Sequence, residues 1–460
     1  MSEDKRGDVR ELADHFRLAL DQDELENCMR CGFCQPACPT FVETGLEAAS
    51  PRGRIALMKA VVQGALEPDK GFKDQMDLCL GCRACEPACP SDVRYGRLIE
   101  QTREVLAAHT PQTGRSEMLR AVFLRGLFPH VKRMRMLGRM LGLYQRSGLA
   151  AKVRKSGLLR ILPSHMRDME RILPQATGLG LAASWRRTGL PHRMEGAGTA
   201  RALVVPPVGE KVGRVGMFRG CIMDVLFSDT NINTVRLLRE IGFEVVIPEQ
   251  QVCCGALHGH AGELAGAREL AVQNVAAFAA AGVDFVAINA GGCGAFLKEY
   301  DHLLQEAACA SEAAQFAGRV RDISALLVDH GRPLVMRGDI PDGVVATYQD
   351  SCHLRNVMGV REQPRALLRS LPGVTYRELP NADHCCGSAG IYNLTQPAMS
   401  SDILTHKMDE VRATEARMIV TTNPGCLLQM QWGAAREGTD GQEAVHLVDL
   451  LAKRVVFHES

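Results

Sequence analysis

Hydrophobic periodicity changes near residue 213. Before that point, apolar residues recur at helical spacing among charges; after it, short apolar runs alternate with longer amphipathic stretches. Leu12, Phe16, Ala19 and Leu20 mark a helix over residues 10–27. Ser50-Pro51 reads as a helix start, a hydroxyl cap followed by proline, and the helix continues through Ala56–Val62. Residues 91–100 lead into another helix. From Arg115 to Arg160, twelve Lys or Arg stand against one acid, Glu117. Leu119, Val122, Phe123, Leu127, Phe128, Met134, Met136, Leu137, Met140, Leu141 and Leu143 are interleaved with them. A basic amphipathic helix of this kind packs on its own domain, docks a partner subunit or lies on an anionic membrane. Residues 163–212, rich in Pro, Gly and Ala, read as a connector.

The second half repeats itself. A strand at 214–218 is followed by Cys221, a helix over 230–241, a strand at 243–247 and Cys253-Cys254-Gly255. A helical region over 261–281 and a strand at 283–289 then lead to Cys293. The same order recurs as a strand at 344–348, Cys352, a helix over 362–370, a strand at 375–379 and Cys385-Cys386-Gly387. A helix over 399–412 and a strand at 418–422 then lead to Cys426. Thirty-one residues separate Cys221 from Cys253, and thirty-two separate Cys352 from Cys385. Alternating strand and helix predicts two parallel sheets covered by helices. The expected domains are 1–110, 111–212 (basic connector), 213–335 and 336–460.

Composition narrows the class. A net charge of +1 argues against a nucleic-acid binder. The charged amino end lacks the apolar core of a secretory signal, and no run of eighteen apolar residues spans a bilayer. The expectation is a cytoplasmic chain that can sit on the inner face of the membrane. Seventeen cysteines in a chain of 460 residues point to metal chemistry rather than to a disulfide scaffold.

Those cysteines fall into two sets. Cys28-x2-Cys31-x2-Cys34-x3-Cys38-Pro39 and Cys79-x2-Cys82-x2-Cys85-x3-Cys89-Pro90 carry the bacterial ferredoxin spacing. Three close cysteines wrap one [4Fe–4S] cube, and the fourth completes the other. Cys28, Cys31, Cys34 and Cys89 are thus assigned to one cube, and Cys79, Cys82, Cys85 and Cys38 to the second. A zinc site would leave cysteines idle. Arg52 and Arg54, between the runs, either raise a cube's reduction potential or solvate a turn.

Each repeat gathers four more sulfurs just beyond its strand ends, where ligands of such sheets collect: Cys221, Cys253, Cys254 and Cys293, then Cys352, Cys385, Cys386 and Cys426. Four thiolates suit an iron–sulfur cluster, a zinc ion or a redox disulfide, and a packing role is the bland alternative. His258, His260, His353 and His384 read as hydrogen-bonded loop histidines. Cys309 reads as core within an Ala-rich helix.

Two ferredoxin runs followed by two CCG repeats resemble the iron–sulfur subunit family of glycolate oxidase (glycolate dehydrogenase). The broader group includes iron–sulfur subunits of anaerobic glycerol-3-phosphate dehydrogenase, lactate-utilisation proteins and heterodisulfide reductase. Pro51-Arg52-Gly53-Arg54-Ile55, Val93-Arg94-Tyr95, the segment from Gly292-Cys293-Gly294 to Tyr300, and Cys385 to Gly390 carry the likeness. The resemblance implies a helical 2[4Fe–4S] ferredoxin domain followed by two α/β CCG domains. It further implies a hetero-oligomer in which an FAD-binding subunit oxidises glycolate to glyoxylate, while this chain passes electrons towards quinone and has no catalytic residue of its own. Lactate and glycerol 3-phosphate stay open as substrates of that complex. The heterodisulfide reductase pattern ends each repeat in CxxC, where this chain has Phe296 and Gln429. A catalytic role for the CCG thiols in disulfide or quinone reduction, and a zinc or empty-thiol scaffold, stand as alternatives.

Overall fold

The computed structural model describes residues 12–109, 117–118, 120–157, 159, 164–337, 343–436 and 441–458. Residues 10 and 11, Arg115, Leu119, Arg160 and residue 163, named above, lie outside these. In the amino-terminal part the helix expected over 10–27 is two helices, 12–19 and Gln22–Asn27. Asp21 breaks it, because its extended backbone lets its carboxylate accept from the Glu24 N–H and cap the second helix. The Ser50 start is as read: Ser50 Oγ accepts from Gly53 N at 3.0 Å, and helix Pro51–Val62 follows. Gly53 is required there, since a Cβ would lie 1.9 Å from the Glu47 carbonyl oxygen. This helix packs with Lys70–Asp77 and Tyr95–His109 around Phe16, Leu25, Met58, Met76 and Leu98.

Beyond the connector lie two sheets. The first joins β1 (Arg193–Glu195), β2 (Ala202–Val205), β3 (Gly213–Met217), β4 (Phe243–Pro248), β5 (Phe285–Ile288) and β6 (Val320–Asp322) in the order β1-β2-β4-β3-β5-β6. The second joins β7 (Val344–Tyr348), β8 (Val374–Tyr376), β9 (Met418–Thr421) and β10 (Glu443–His446) in the order β10-β9-β7-β8. Strands β4-β3-β5-β6 and β8-β7-β9-β10 share one parallel order, so the duplication extends from cysteine spacing to topology. The first sheet departs from the all-parallel expectation. Residues 193–205, read as connector, add two strands to its edge, with β2 antiparallel to β4. The boundary at 213 therefore cuts through one sheet.

The repeats pack reciprocally. Helix Ser228–Glu240, which follows β3, lies on the last helix, Leu447–Ala452. Helix Ile323–Asp329, the last of the first repeat, lies on Glu362–Ser370, which comes early in the second repeat. One core (Leu203, Val215, Leu238, Tyr348, Val420 and Leu450 among others) runs through both sheets. Hydrophobic burial across two sheets fixes where their strand ends point relative to each other.

Among the described residues the basic stretch is broken rather than one helix: a helical turn Ala121–Arg125, helix Val131–Arg146 and helix Leu149–Ser156. Met134, Gly138 and Gly142, one turn apart, are the buried face of Val131–Arg146. A Cβ at Gly138 would meet Val225 at 2.4 Å, and one at Gly142 would meet the Ala176 carbonyl oxygen at 2.3 Å. Arg135 Nε donates to Asp224 Oδ2 at 3.0 Å, tying the helix to the first repeat. The opposite face exposes Met136, Leu137, Met140 and Leu143.

Candidate iron–sulfur and thiol sites

The two ferredoxin runs bend in the same way. Arg30 and Gly32 in the first, and Gly81 and Arg83 in the second, have positive φ at equivalent positions. Glycine and arginine have exchanged places between the runs. The left-handed residues turn the chain sharply enough to bring cysteines two residues apart round one point. Cys28, Cys34 and Cys89 are half-buried on the ferredoxin core, while Cys31 is exposed. Met29 and Phe33, on either side of Cys31, are exposed as well, at 66% and 68%. Burial pushes the Cys34 thiol up, the Arg52 backbone N–H pulls it down, and Cys28 and Cys38 push it up again.

Cys38 belongs to the first run but faces the second. Cys38, Cys79, Cys82 and Cys85 line one cavity together with Arg54, Arg83 and Tyr95. Burial, and then neighbouring thiols, push Cys82 and Cys85 well above the ordinary thiol range. Cys79 is different. Burial raises it, but the Arg54 and Arg103 guanidiniums and the Gly81 N–H outweigh that, and its net shift is downward. Gly81 N donates to Cys79 Sγ at 3.3 Å, and Tyr95 OH donates to it at 3.6 Å. A buried space lined by four sulfurs, with two guanidiniums and two sulfur-directed donors, fits an anionic iron–sulfur group.

In the repeats every predicted cysteine lies in the segment that follows a strand's carboxyl end. Cys221 precedes helix Ile222–Leu226, the Cys253-Cys254 pair follows β4, and Cys293 lies in the first turn of Gly291–Lys298. Cys253 Sγ is 3.6 Å from Cys221 Sγ. Contacts continue from Cys253 to Cys254 and from Cys254 to Cys293, making a row of four thiols. Cys352, Cys385, Cys386 and Cys426 form the matching row. At Cys253, Cys254, Cys385 and Cys386 one neighbouring thiol pulls the pKa down, but the other neighbour and burial outweigh it, so the net shift of both rows is upward wherever one is resolved. Thiols in this state release protons when metal binds. Among the described residues no three Cys, His, Asp or Glu side chains form a ready single-ion site.

Phe296 and Gln429 occupy matching places. The Phe296 ring lies 3.3 Å from where a Cβ on Gly255 would be, and Gln429 Nε2 lies 3.3 Å from one on Gly387. Each fills the space over the CCG glycine. Gln429 is held by Ser400 Oγ at 3.0 Å and Asn393 Nδ2 at 3.3 Å.

Several buried residues that position the thiols escape sequence reading. Asn274 Nδ2 donates to the Cys253 carbonyl at 3.0 Å, and Tyr300 OH donates to the Cys254 carbonyl at 2.8 Å. Ser400 Oγ donates to the Gly387 carbonyl at 2.8 Å, and Gln349 Nε2 donates to the His384 carbonyl at 3.0 Å. Nothing in their local sequence marks them, since Tyr300, Gln349 and Ser400 each sit beside other polar residues. Three of the four histidines hydrogen-bond through their rings: His258 to the Leu124 carbonyl at 2.7 Å, His260 to Glu100 at 2.8 Å and His353 to the Gly81 carbonyl at 2.9 Å. His258 and His260 lie on helix Ala256–His260 and His353 on Cys352–Asn356, rather than in loops. Cys309 precedes helix Ala310–Arg319 instead of lying within it, and packs half-buried on the core.

The second repeat covers the second ferredoxin run. Tyr392 OH donates to the Leu78 carbonyl at 2.9 Å, and Asn356 Nδ2 donates to the Cys82 carbonyl at 3.0 Å. Leu80, Cys82, Cys385, Tyr392 and Ile403 form one apolar cluster with Cys352 against it. The first repeat meets the ferredoxin part through polar contacts instead: Arg83 with Glu299, and Arg103 Nη1 with the His260 carbonyl at 3.2 Å.

Comparison with known proteins matches this layout. A 4Fe-4S dicluster domain model matches residues 24–93, and a cysteine-rich domain model matches 215–298 and 346–431. A model described as the glycolate oxidase iron-sulfur subunit linker region matches 115–173. The probable glycolate oxidase iron-sulfur subunit of Bacillus subtilis is 49% identical over 96% of this chain and 97% of its own length. The glycolate oxidase iron-sulfur subunit of Escherichia coli is 31% identical over 89% and 90%. Lactate utilization protein A of Oceanobacillus iheyensis is 32% identical over 52% of this chain and 96% of its own length.

Proposed function

Because the chain belongs to the family of glycolate oxidase iron–sulfur subunits, we propose that it is the electron-relay subunit of a complex that oxidises glycolate. A flavin-bearing partner takes two electrons as glycolate becomes glyoxylate, and this chain carries them onward singly towards a quinone. Cys28, Cys31, Cys34 and Cys89 would hold one cube; Cys38, Cys79, Cys82 and Cys85 would hold the other. When bound, the cubes supply the one-electron chemistry. The residues supply position and environment. Exposed Cys31, flanked by Met29 and Phe33, offers the first set to a partner's cofactor. Cys82, packed beside Cys352 and Cys385, hands on to the thiol row of the second repeat. Each thiol row would hold a further iron–sulfur centre, with zinc as the competing occupant. Phe296 and Gln429, seated over the two CCG glycines, weigh against disulfide-cleaving chemistry at these rows. The outward apolar strip of helix Val131–Arg146 rests the complex on the inner face of an anionic membrane. Among the described residues no helix is long and apolar enough to cross one.

The observation that carries this reading is the single cavity lined by cysteines from both runs. Cys31→Ser and Cys82→Ser, made separately, should each lower the iron held by the ferredoxin part by about half. Each should also abolish glycolate-dependent dye or quinone reduction by the complex. Turnover that survives both changes rules the relay out. Glycolate is favoured over lactate because the likeness to glycolate oxidase subunits spans the chain, whereas that to the lactate utilization protein covers about half of it.

A further inference from the structure

Arg54 is 0% exposed and lies in the first turn of helix Pro51–Val62. Its Nε donates to the Gln75 carbonyl at 2.7 Å, and its Nη2 donates to Thr40 Oγ1 at 3.0 Å. Both acceptors are neutral oxygens. Its Nη1 has no partner, although it is buried. The side chain lines the cavity formed by Cys38, Cys79, Cys82 and Cys85. Thr40, which orients the guanidinium, is itself fixed by donating to the Ala49 carbonyl at 2.7 Å, and its hydroxyl is 3.3 Å from Cys38 Sγ. A buried guanidinium with a spare donor and only neutral acceptors is costly unless a negative charge completes its surroundings.

Building on the ligand assignment above, we propose that Arg54 is the counter-charge that keeps the buried cube reducible. Four thiolates around a doubly positive core leave a dianion, and one electron from the donor flavin makes it a trianion with no proton moved. Burial favours the smaller charge and so lowers the potential; a fixed cation beside the sulfurs favours the larger charge and raises it. Arg83, on the same cavity, is already paired with Glu86 and Glu299, and Arg103, outside the lining, is spent on backbone carbonyls. Arg54 is the fully buried cation on that lining with no carboxylate. Arg52, two residues earlier, does different work. Its Nε is 2.6 Å from Glu47 Oε1, so its charge is already neutralised, and its Nη1 donates to the Arg30 carbonyl at 3.1 Å, bracing the first run's turn.

Redox titration of the anaerobically reconstituted full chain, followed by low-temperature paramagnetic resonance, tests this. In Arg54→Met and in Arg54→Gln, one ferredoxin cube potential should fall while the other stays in place. Arg54→Lys should keep the potential nearer to wild type than either neutral variant does. Unchanged iron content and the unmoved second potential show that the fold is intact. If no potential moves in a fully loaded neutral variant, or if both fall together, the role is wrong. It is equally wrong if lysine behaves like methionine. Wild-type protein with no cube signal at all sinks the ligand assignment and this role with it.

Discussion

Position 83 holds an arginine in the left-handed backbone that glycine occupies at position 32. An L-residue there costs roughly 1 kcal/mol or more. The side chain offsets that by reaching Glu86 within its own run and Glu299 in the first repeat. Burial pushes the Glu299 carboxyl up, and Arg83 pulls it back down without fully cancelling the rise. Arg83→Gly should therefore destabilise the chain by about 1–2 kcal/mol, even though it relieves the backbone, because the half-buried Glu299 carboxylate loses its partner. Adding Glu299→Gln should recover part of the loss. Urea unfolding of the two single variants and the double variant measures this; a neutral or stabilising Arg83→Gly would mean that the ion pair contributes nothing.

Two elements carry predictions of their own. Helix Ile323–Asp329 is capped by Asp322, whose Oδ1 accepts from Ser324 N at 2.8 Å while its Oδ2 is buried without a partner. Burial pushes this carboxyl from 3.8 up to about 6, against the opposing hydrogen bonds from Ser324 and Ile323. The folded chain thus holds the proton more tightly than the unfolded one. Stability should fall as pH rises from about 4 to about 6 and remain lower above that, by roughly 3 kcal/mol at most. Asp322→Asn keeps the cap oxygen and should flatten this slope. Urea midpoints at pH 4 and pH 8 compare the two chains, and equal slopes would refute the assignment.

Helix Val131–Arg146 carries the other prediction. It turns Met134 and its glycines inward and Met136, Leu137, Met140 and Leu143 outward, with Lys132, Arg133, Arg139 and Arg146 beside the exposed strip. Met140→Glu with Leu143→Glu should abolish co-flotation with phosphatidylglycerol vesicles and leave iron content unchanged. If vesicle binding persists and assembly with the flavin subunit fails instead, the strip is a subunit interface.

At the scale of the molecule, the parts that repeat were the legible ones. Cysteine spacing pairs Cys38 with the second run, and Cys38 lines a cavity with Cys79, Cys82 and Cys85; strand periodicity foretold two sheets with parallel strands. Ser50-Pro51 announced its helix because capping is local chemistry. Hidden from the sequence was whatever depends on distant partners. Residues 193–205 read as connector because strands this short become strands only by pairing with β4. Gly138 and Gly142 have no sequence signature of their own; their role rests on Val225 and Ala176, which press against them from distant segments. Asn274 and Tyr300 gave no hint that they hold the Cys253-Cys254 backbone from two separate helices.

The roof that Tyr392, Asn356 and His353 place over Leu78, Gly81 and Cys82 has a bearing on how the protein matures. If Cys38, Cys79, Cys82 and Cys85 hold a cube as proposed, those contacts stand between a delivery protein and the four thiols. Iron loading of that set is then expected to precede docking of the carboxy-terminal repeat. That segment acts as a seal, and a nascent chain starved of iron would be expected to linger open, with its last domain made but undocked.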